Sequence, residues 1–115
     1  VLPPKKNPFP FFIISDLYIM TSLYEGCPNS IVEATMLNLP VISSNCNSGP
    51  SEILLNGRGG TFYKKRNTYS LMRKISLFMD NKKTFKKKLK VAKNNIYRFE
   101  EKRILKQYND LFNTL

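Results

Sequence analysis

An α/β fold built on a parallel sheet is predicted by three features of the 115-residue sequence. Short strand-like runs recur at 17–20, 41–43 and 61–63, each too brief for a helix, and the first is continuously apolar, as in a strand covered on both faces. Segments with helix-start and helix-stop signals separate these runs. Strand, helix, strand, helix, strand in short steps is the order of a parallel sheet with right-handed crossovers. From Thr68 the apolar period becomes that of amphipathic helices, which adds a helical C-terminal tail.

Each element has a local reason. Asn7-Pro8-Phe9-Pro10 makes a rigid lead-in, and Phe11, Phe12, Ile13 and Ile14 predict a short buried helix that stops near Asp16. Leu17-Tyr18-Ile19-Met20 is the first strand. A polar loop, Thr21 to Cys27, leads to Pro28, expected in the first turn of a helix that carries Ile31, Val32, Ala34, Thr35 and Met36 and ends near Asn38. Val41-Ile42-Ser43 is the second strand. Turn formers fill Asn45 to Gly49, Pro50 to Leu55 reads as a short helix closed by Asn56-Gly57, and Gly59-Gly60 leads into the third strand, Thr61-Phe62-Tyr63. Three apolar stripes then follow at helical spacing: Leu71, Met72, Ile75, Phe78 and Met79; Phe85, Leu89, Ala92, Ile96 and Phe99; and Ile104, Leu105, Tyr108, Leu111, Phe112 and Leu115. Residues 1–80 form the sheet-bearing part, and the amphipathic helices of 81–115 are expected to pack on the same domain.

Composition narrows the function classes. Apolar residues make up 42%, which excludes a disordered tail, and 5 Gly with 7 Pro are too few for a fibrous repeat. One small domain is the most that fits. The absence of histidine removes the commonest general base and metal ligand, leaving carboxylates, hydroxyls, thiols, amines and backbone. Cys27 and Cys46 lack metal-ligand spacing, so free thiols in a reducing cytosol are expected. The mostly apolar run Phe9 to Met20 is broken by Pro10, Ser15 and Asp16 and falls short of the ~20 residues of a spanning helix. The sequence opens on Val1 without a signal-peptide pattern and reads as an excerpt from something longer. Its net charge of +11 is uneven: residues 1–57 hold two basic and four acidic side chains, residues 58–115 seventeen and four, a split of −2 against +13. That asymmetry suggests two tasks, or one task and an anion-attracting surface.

The segment 22–34, Ser-Leu-Tyr-Glu-Gly-Cys-Pro-Asn-Ser-Ile-Val-Glu-Ala, carries the chemistry. Glu25 sits in a loop at the carboxyl end of a strand, where open α/β sheets bind ligands, and Gly26 lets backbone come close to what binds there. The start of the next helix, at Asn29, Ser30 and Ile31, offers unpaired N–H groups and a positive dipole end, a seat for phosphate. Glu33, further along that helix, can accept hydrogen bonds from ribose hydroxyls. A sugar, a diphosphate and a nucleoside fit in a row.

The same residues resemble a known family. Ser22 to Ala34, with Leu39-Pro40-Val41-Ile42-Ser43 after it, looks like the Glu-x7-Glu signature of the family 4 retaining glycosyltransferases of the GT-B fold. Asn7-Pro8-Phe9-Pro10, Ser15-Asp16-Leu17, Ser48 to Leu54 and Gly60 resemble the family's flanking blocks in order and spacing, and the likeness covers about residues 7–80. It implies a partial GT-B carboxy-terminal domain, Rossmann-like, that binds a nucleotide sugar through residues 1–80. Glu25 would then be the catalytic glutamate beside the transferred sugar, assisted by backbone N–H groups at Gly26 and Cys27. Asn29, Ser30 and Ile31 would meet the diphosphate at the helix start, with Pro28 before them also counted among the donor-binding residues, and Glu33 would hold the ribose. Cys27 stands where the family often has a bulky residue. No cofactor is implied, and no metal, since the fold neutralises the leaving phosphate with backbone and basic side chains; no Asp-x-Asp occurs. The implied reaction moves a hexose or N-acetylhexosamine, with retention, from a UDP-sugar to a glycan or lipid-linked glycan acceptor. The first GT-B domain and the family's phosphate-binding Arg and Lys would lie upstream, so the 115 residues alone are expected to be inactive.

Blander readings stand beside these. Two glutamates are usually solvated side chains, Ser30 or Asn29 can be a plain helix cap, Glu52 supports a helix start, and the two cysteines are inert small apolar residues. A non-catalytic remnant of the fold is an alternative. Seven lysines between Lys82 and Lys93 leave the apolar stripe clear. They read as a solvated helix face, as a surface for anionic lipid that would place the protein peripherally at the inner face of the cell membrane, or as a nucleic-acid site. No nucleic-acid motif is present, and no nucleic-acid partner is expected.

Overall fold

The computed structural model describes residues 3–46 and 48–114, so Asn47 of the 45–49 turn and Leu115 of the last stripe lie outside the described residues. Three parallel strands, β1 (Tyr18–Met20), β2 (Val41–Ser44) and β3 (Thr61–Tyr63), form a sheet in that order. Tyr18 pairs with Val41 and Ile42 with Thr61, which leaves β2 in the centre with all four residues buried. The helices are α1 (Phe9–Ile13), α2 (Asn29–Met36), α3 (Gly49–Ile53), α4 (Thr68–Asp80), α5 (Lys82–Asn95) and α6 (Glu101–Asn113), with 3-10 turns at Leu55–Gly57 and Ile96–Phe99. The α/β prediction holds, helical C-terminal part included.

Side chains alternate across the strands and divide the core in two. Val41 and Met20 face a cluster with Ile31 and Ala34 of α2 and Ile53 of α3, joined by the half-buried Ile96 and Phe99. Ile42 and Tyr63 face Phe78 of α4 and Phe85 of α5, whose rings meet edge to face at 5.2 Å. Covering on both faces is why Tyr18-Ile19-Met20 and Val41-Ile42 are apolar on consecutive positions. Asn67 and Asn81 start α4 and α5, their side-chain oxygens accepting from Ser70 N at 2.7 Å and Thr84 N at 3.2 Å.

Several expectations are corrected. The first helix is not buried: Ile13 is 68% and Ile14 80% exposed, because in five residues only Phe12 reaches inward, to Tyr18 at a ring separation of 5.5 Å. Pro28 is the residue before α2, in extended conformation, and not in its first turn; neither Asn29 nor Ser30 caps that helix. Met72 and Met79 are exposed, the buried face of α4 being centred on Phe78. The stripe from Phe85 to Phe99 is not one helix: the Asn95 amide turns back to the Val91 carbonyl at 2.9 Å, and the chain tightens into the 3-10 turn. No α6 residue among those described is buried. Among the described residues, no helix is long and apolar enough to cross a membrane.

The helix α5 spans the end of the sheet where the strands begin. Its Lys88 ammonium donates to the carbonyls of Gly57 at 2.9 Å and Gly60 at 3.0 Å, in the turn before β3. Burial, reinforced by the charge of Lys74, lowers the Lys88 pKa below its ordinary 10.5. The unfolded chain therefore holds that proton more tightly than the fold does, so the stabilisation from Lys88 grows as pH rises through the depressed folded value toward 10.5. Replacing Lys88 with Met is expected to cost about 1 kcal/mol at neutral pH. Urea melts should show the gap to wild type widening toward alkaline pH, and a narrowing gap would contradict the assignment.

Candidate functional site

The loops leaving the three strands meet at one edge of the sheet, and each predicted donor-site residue lies at or next to that edge. After β1 the chain runs through Ser22, Glu25 and Gly26 to the buried Pro28, where α2 begins. The segment after β2 fastens this loop from beneath. Ser44 Oγ donates to the Ser22 carbonyl, Ser48 Oγ donates to the Glu25 carbonyl at 3.0 Å, and Glu25 and Ser48 form an isolated parallel bridge.

The contact is too close for any side chain at Gly49. A Cβ there would lie 1.6 Å from the Gly26 carbonyl oxygen and 2.7 Å from Pro28 Cδ. Gly26 is the opposite case, since a Cβ on it would meet nothing within 4 Å. The protein's own packing does not require glycine at 26; the space above it is open.

Two half-buried carboxylates belong to the loop and helix that adjoin this space. Glu25 is on the fastened loop and Glu33 is on α2, about 6 Å along the axis from Asn29 by the helical rise. Neither carboxylate engages a protein partner among the described residues. The Asn29 and Ser30 N–H groups open α2 and carry the positive end of the helix dipole, whereas the Ile31 N–H, expected to be unpaired, donates to the Pro28 carbonyl at 3.0 Å because the first turn closes on the residue before the helix. Carboxylates to accept hydroxyl hydrogens, with a helix start to receive an anion, suit a ligand that is part sugar and part phosphate. Cys27 is exposed on this edge, and partial desolvation of its thiol, with the Glu52 carboxylate nearby, raises its pKa above 9.0. It is a neutral thiol at physiological pH and a poor nucleophile. The described residues contain no cluster of three His, Cys, Asp or Glu able to hold a metal.

Two parts of this edge are not apparent from the sequence pattern. Ser48 and Gly49 read as turn residues, yet they fix the position of the Glu25 loop. The basic half of the chain reads as helical cover, yet Lys64, Lys65 and Arg66 leave β3 on the site's edge and, with Asn45, Phe62 and Tyr63, line a cavity of about 510 Å³. The Lys65 ammonium lies 5.3 Å from the centre of the Tyr24 ring, beside Glu25 in the chain. The signal was present, since these three cations directly follow the third apolar run.

A family model described as glycosyl transferases group 1 matches residues 4–99. The chain belongs to this family. An uncharacterized glycosyltransferase of Methanocaldococcus jannaschii is 54% identical over 50 residues, covering 44% of this chain and 12% of that protein. The N,N'-diacetylbacillosaminyl-diphospho-undecaprenol alpha-1,3-N-acetylgalactosaminyltransferase of Campylobacter jejuni is 29% identical over 97 residues, 84% of this chain and 26% of that one. Among solved structures, Anabaena HepE in complex with UDP superposes with a TM-score of 0.81 over 91% of this chain and 29% of its own, at 21% identity. This member of the family thus has a GT-B-like fold, and it spans about a quarter or less of the two curated relatives named here.

Proposed function

We propose that this chain supplies the donor half of a retaining glycosyltransferase site, in which a hexose or N-acetylhexosamine leaves UDP for a glycan or lipid-linked glycan acceptor. The observation that carries the reading is the pair of unpartnered carboxylates, Glu25 and Glu33, on the loop and the helix that adjoin the open space at Gly26. Glu25 bonds hydroxyls of the transferred sugar beside the reacting carbon, with the Gly26 and Cys27 N–H groups. The Asn29 and Ser30 N–H groups at the start of α2 meet the diphosphate, with Ile31 behind them, and balance charge as the nucleotide leaves without a metal ion. Glu33 accepts from the ribose. Residues 1–80 carry this site, the helices of 81–115 pack on the same domain, and the acceptor half belongs to a preceding domain. The UDP bound by the Anabaena neighbour and the diphospho-undecaprenol in the Campylobacter relative's name favour these choices of nucleotide and acceptor class.

The test is UDP binding by calorimetry. Glu33→Ala is expected to weaken it about tenfold, the loss of one charge-assisted contact, while leaving the melting temperature unchanged. Equal affinities for wild type and variant would remove the ribose assignment.

A further inference from the structure

The helix α5 carries Lys82, Lys83, Lys86, Lys87, Lys90 and Lys93 as exposed residues and contains no acidic residue. At 3.6 residues per turn these six fall within an arc of about 140°. The opposite side of the helix buries Phe85 and Ala92 and turns Lys88 inward to its two carbonyls. No ion pair engages any of the six among the described residues, although Lys93 donates to the Asn38 side chain and Lys82 lies over the Phe78 ring at 5.5 Å. Lys82 and Lys86 share a cavity wall with Asp16 and Pro40, which precede β1 and β2. The basic face therefore lies toward the start of the strands, away from the edge that holds Glu25.

We propose that this face of α5 is a docking surface for an anionic lipid bilayer. A one-sided row of charges on a rigid helix matches a flat, diffuse negative field, to which each lysine adds its attraction separately. Its chemistry favours lipid over nucleic acid. All six cations are lysines, point charges without the guanidinium fork that grips individual phosphates or base edges. The one aromatic residue of α5, Phe85, is buried and unable to stack on a base. Because the face and the donor site lie at opposite edges of the sheet, a docked molecule keeps its nucleotide-sugar cleft open.

Flotation with lipid vesicles tests this directly. At about 0.15 M salt the chain is expected to bind phosphatidylcholine vesicles containing roughly a third phosphatidylglycerol and not vesicles of phosphatidylcholine alone. Each lysine removed lowers the partition roughly fivefold. The combined Lys83→Gln, Lys86→Gln, Lys87→Gln and Lys90→Gln variant should fall to the neutral-vesicle level with its circular dichroism unchanged, and the same four positions as arginine should restore binding. Saturating UDP should leave vesicle binding intact, and Glu33→Ala should too, so failure here is separable from failure of the donor-site reading. Equal binding to neutral vesicles, an unaffected glutamine variant, release by UDP, or displacement from vesicles by stoichiometric RNA would each overturn the proposal.

Discussion

Substituting Gly49 with Ala is expected to unfold or displace the Glu25 loop, at a cost of roughly 3 kcal/mol or more. The added methyl would stand 1.6 Å from the Gly26 carbonyl oxygen and 2.6 Å from its carbonyl carbon. Both are backbone atoms, which no rotamer change can move aside. Relief requires parting the segments 25–26 and 48–49, which breaks the Glu25–Ser48 bridge and the 3.0 Å bond from Ser48 Oγ. A fall in melting temperature of about 10 °C or more is expected, with UDP binding lost in the variant even at temperatures where it stays folded. The control is Gly26→Ala, whose methyl meets no protein atom within 4 Å and should leave the melting temperature unchanged. An unshifted melt for Gly49→Ala would refute the close contact. A shifted melt with wild-type UDP affinity would show that the contact supports the fold without setting the site.

At Gly59 the expected loss is roughly 2–3 kcal/mol for Gly59→Ala, from overpacking. Its new methyl would lie 2.9 Å from Ala92 Cβ, 3.2 Å from Ala92 Cα and 3.3 Å from the Leu54 carbonyl oxygen. This is where α5 comes down onto the turn before β3, next to the two carbonyls that hold Lys88. A second change, Ala92→Gly, removes the nearest atom, so a double-mutant cycle separates the specific clash from general helix weakening. The double variant is expected to recover part of the loss, net of about 1 kcal/mol for a mid-helix glycine. Simple additivity of the two losses in chemical denaturation would place the strain elsewhere.

The three strands and the approximate positions of the helices are legible in the sequence because they depend on neighbours in the chain. An apolar run of three or four residues bounded by turn formers has few alternatives, and the stripe containing Phe85 and Ala92 repeats at the helical period wherever the helix finally packs. Exposure is another matter. Ile13, Ile14, Met72 and Met79 are as apolar as the core residues, but whether anything covers them depends on helix length and approach. The candidate site divides the same way. Glu25, Gly26 and Glu33 stand out by their spacing around a strand-to-helix loop, whereas Ser48 and Gly49 acquire their part in it only by meeting residues 23 positions away in the chain.

The charge asymmetry shows the same division within one property. Sequence alone established that the second half is basic, with seventeen cations against four acids. Only the fold sorted those cations by place. Lys64, Lys65 and Arg66 lie at the edge where the strands end, beside the candidate donor site. Lys88 is turned inward as a structural clip, and six lysines of α5 face solvent toward the opposite edge. Composition and periodicity are properties of a chain read locally, and they determined an α/β fold with a helical C-terminal part. The position of a charge or a glycine relative to distant backbone arises when strands 19 to 23 residues apart pair and helices close over them, and that was decided only by the tertiary structure.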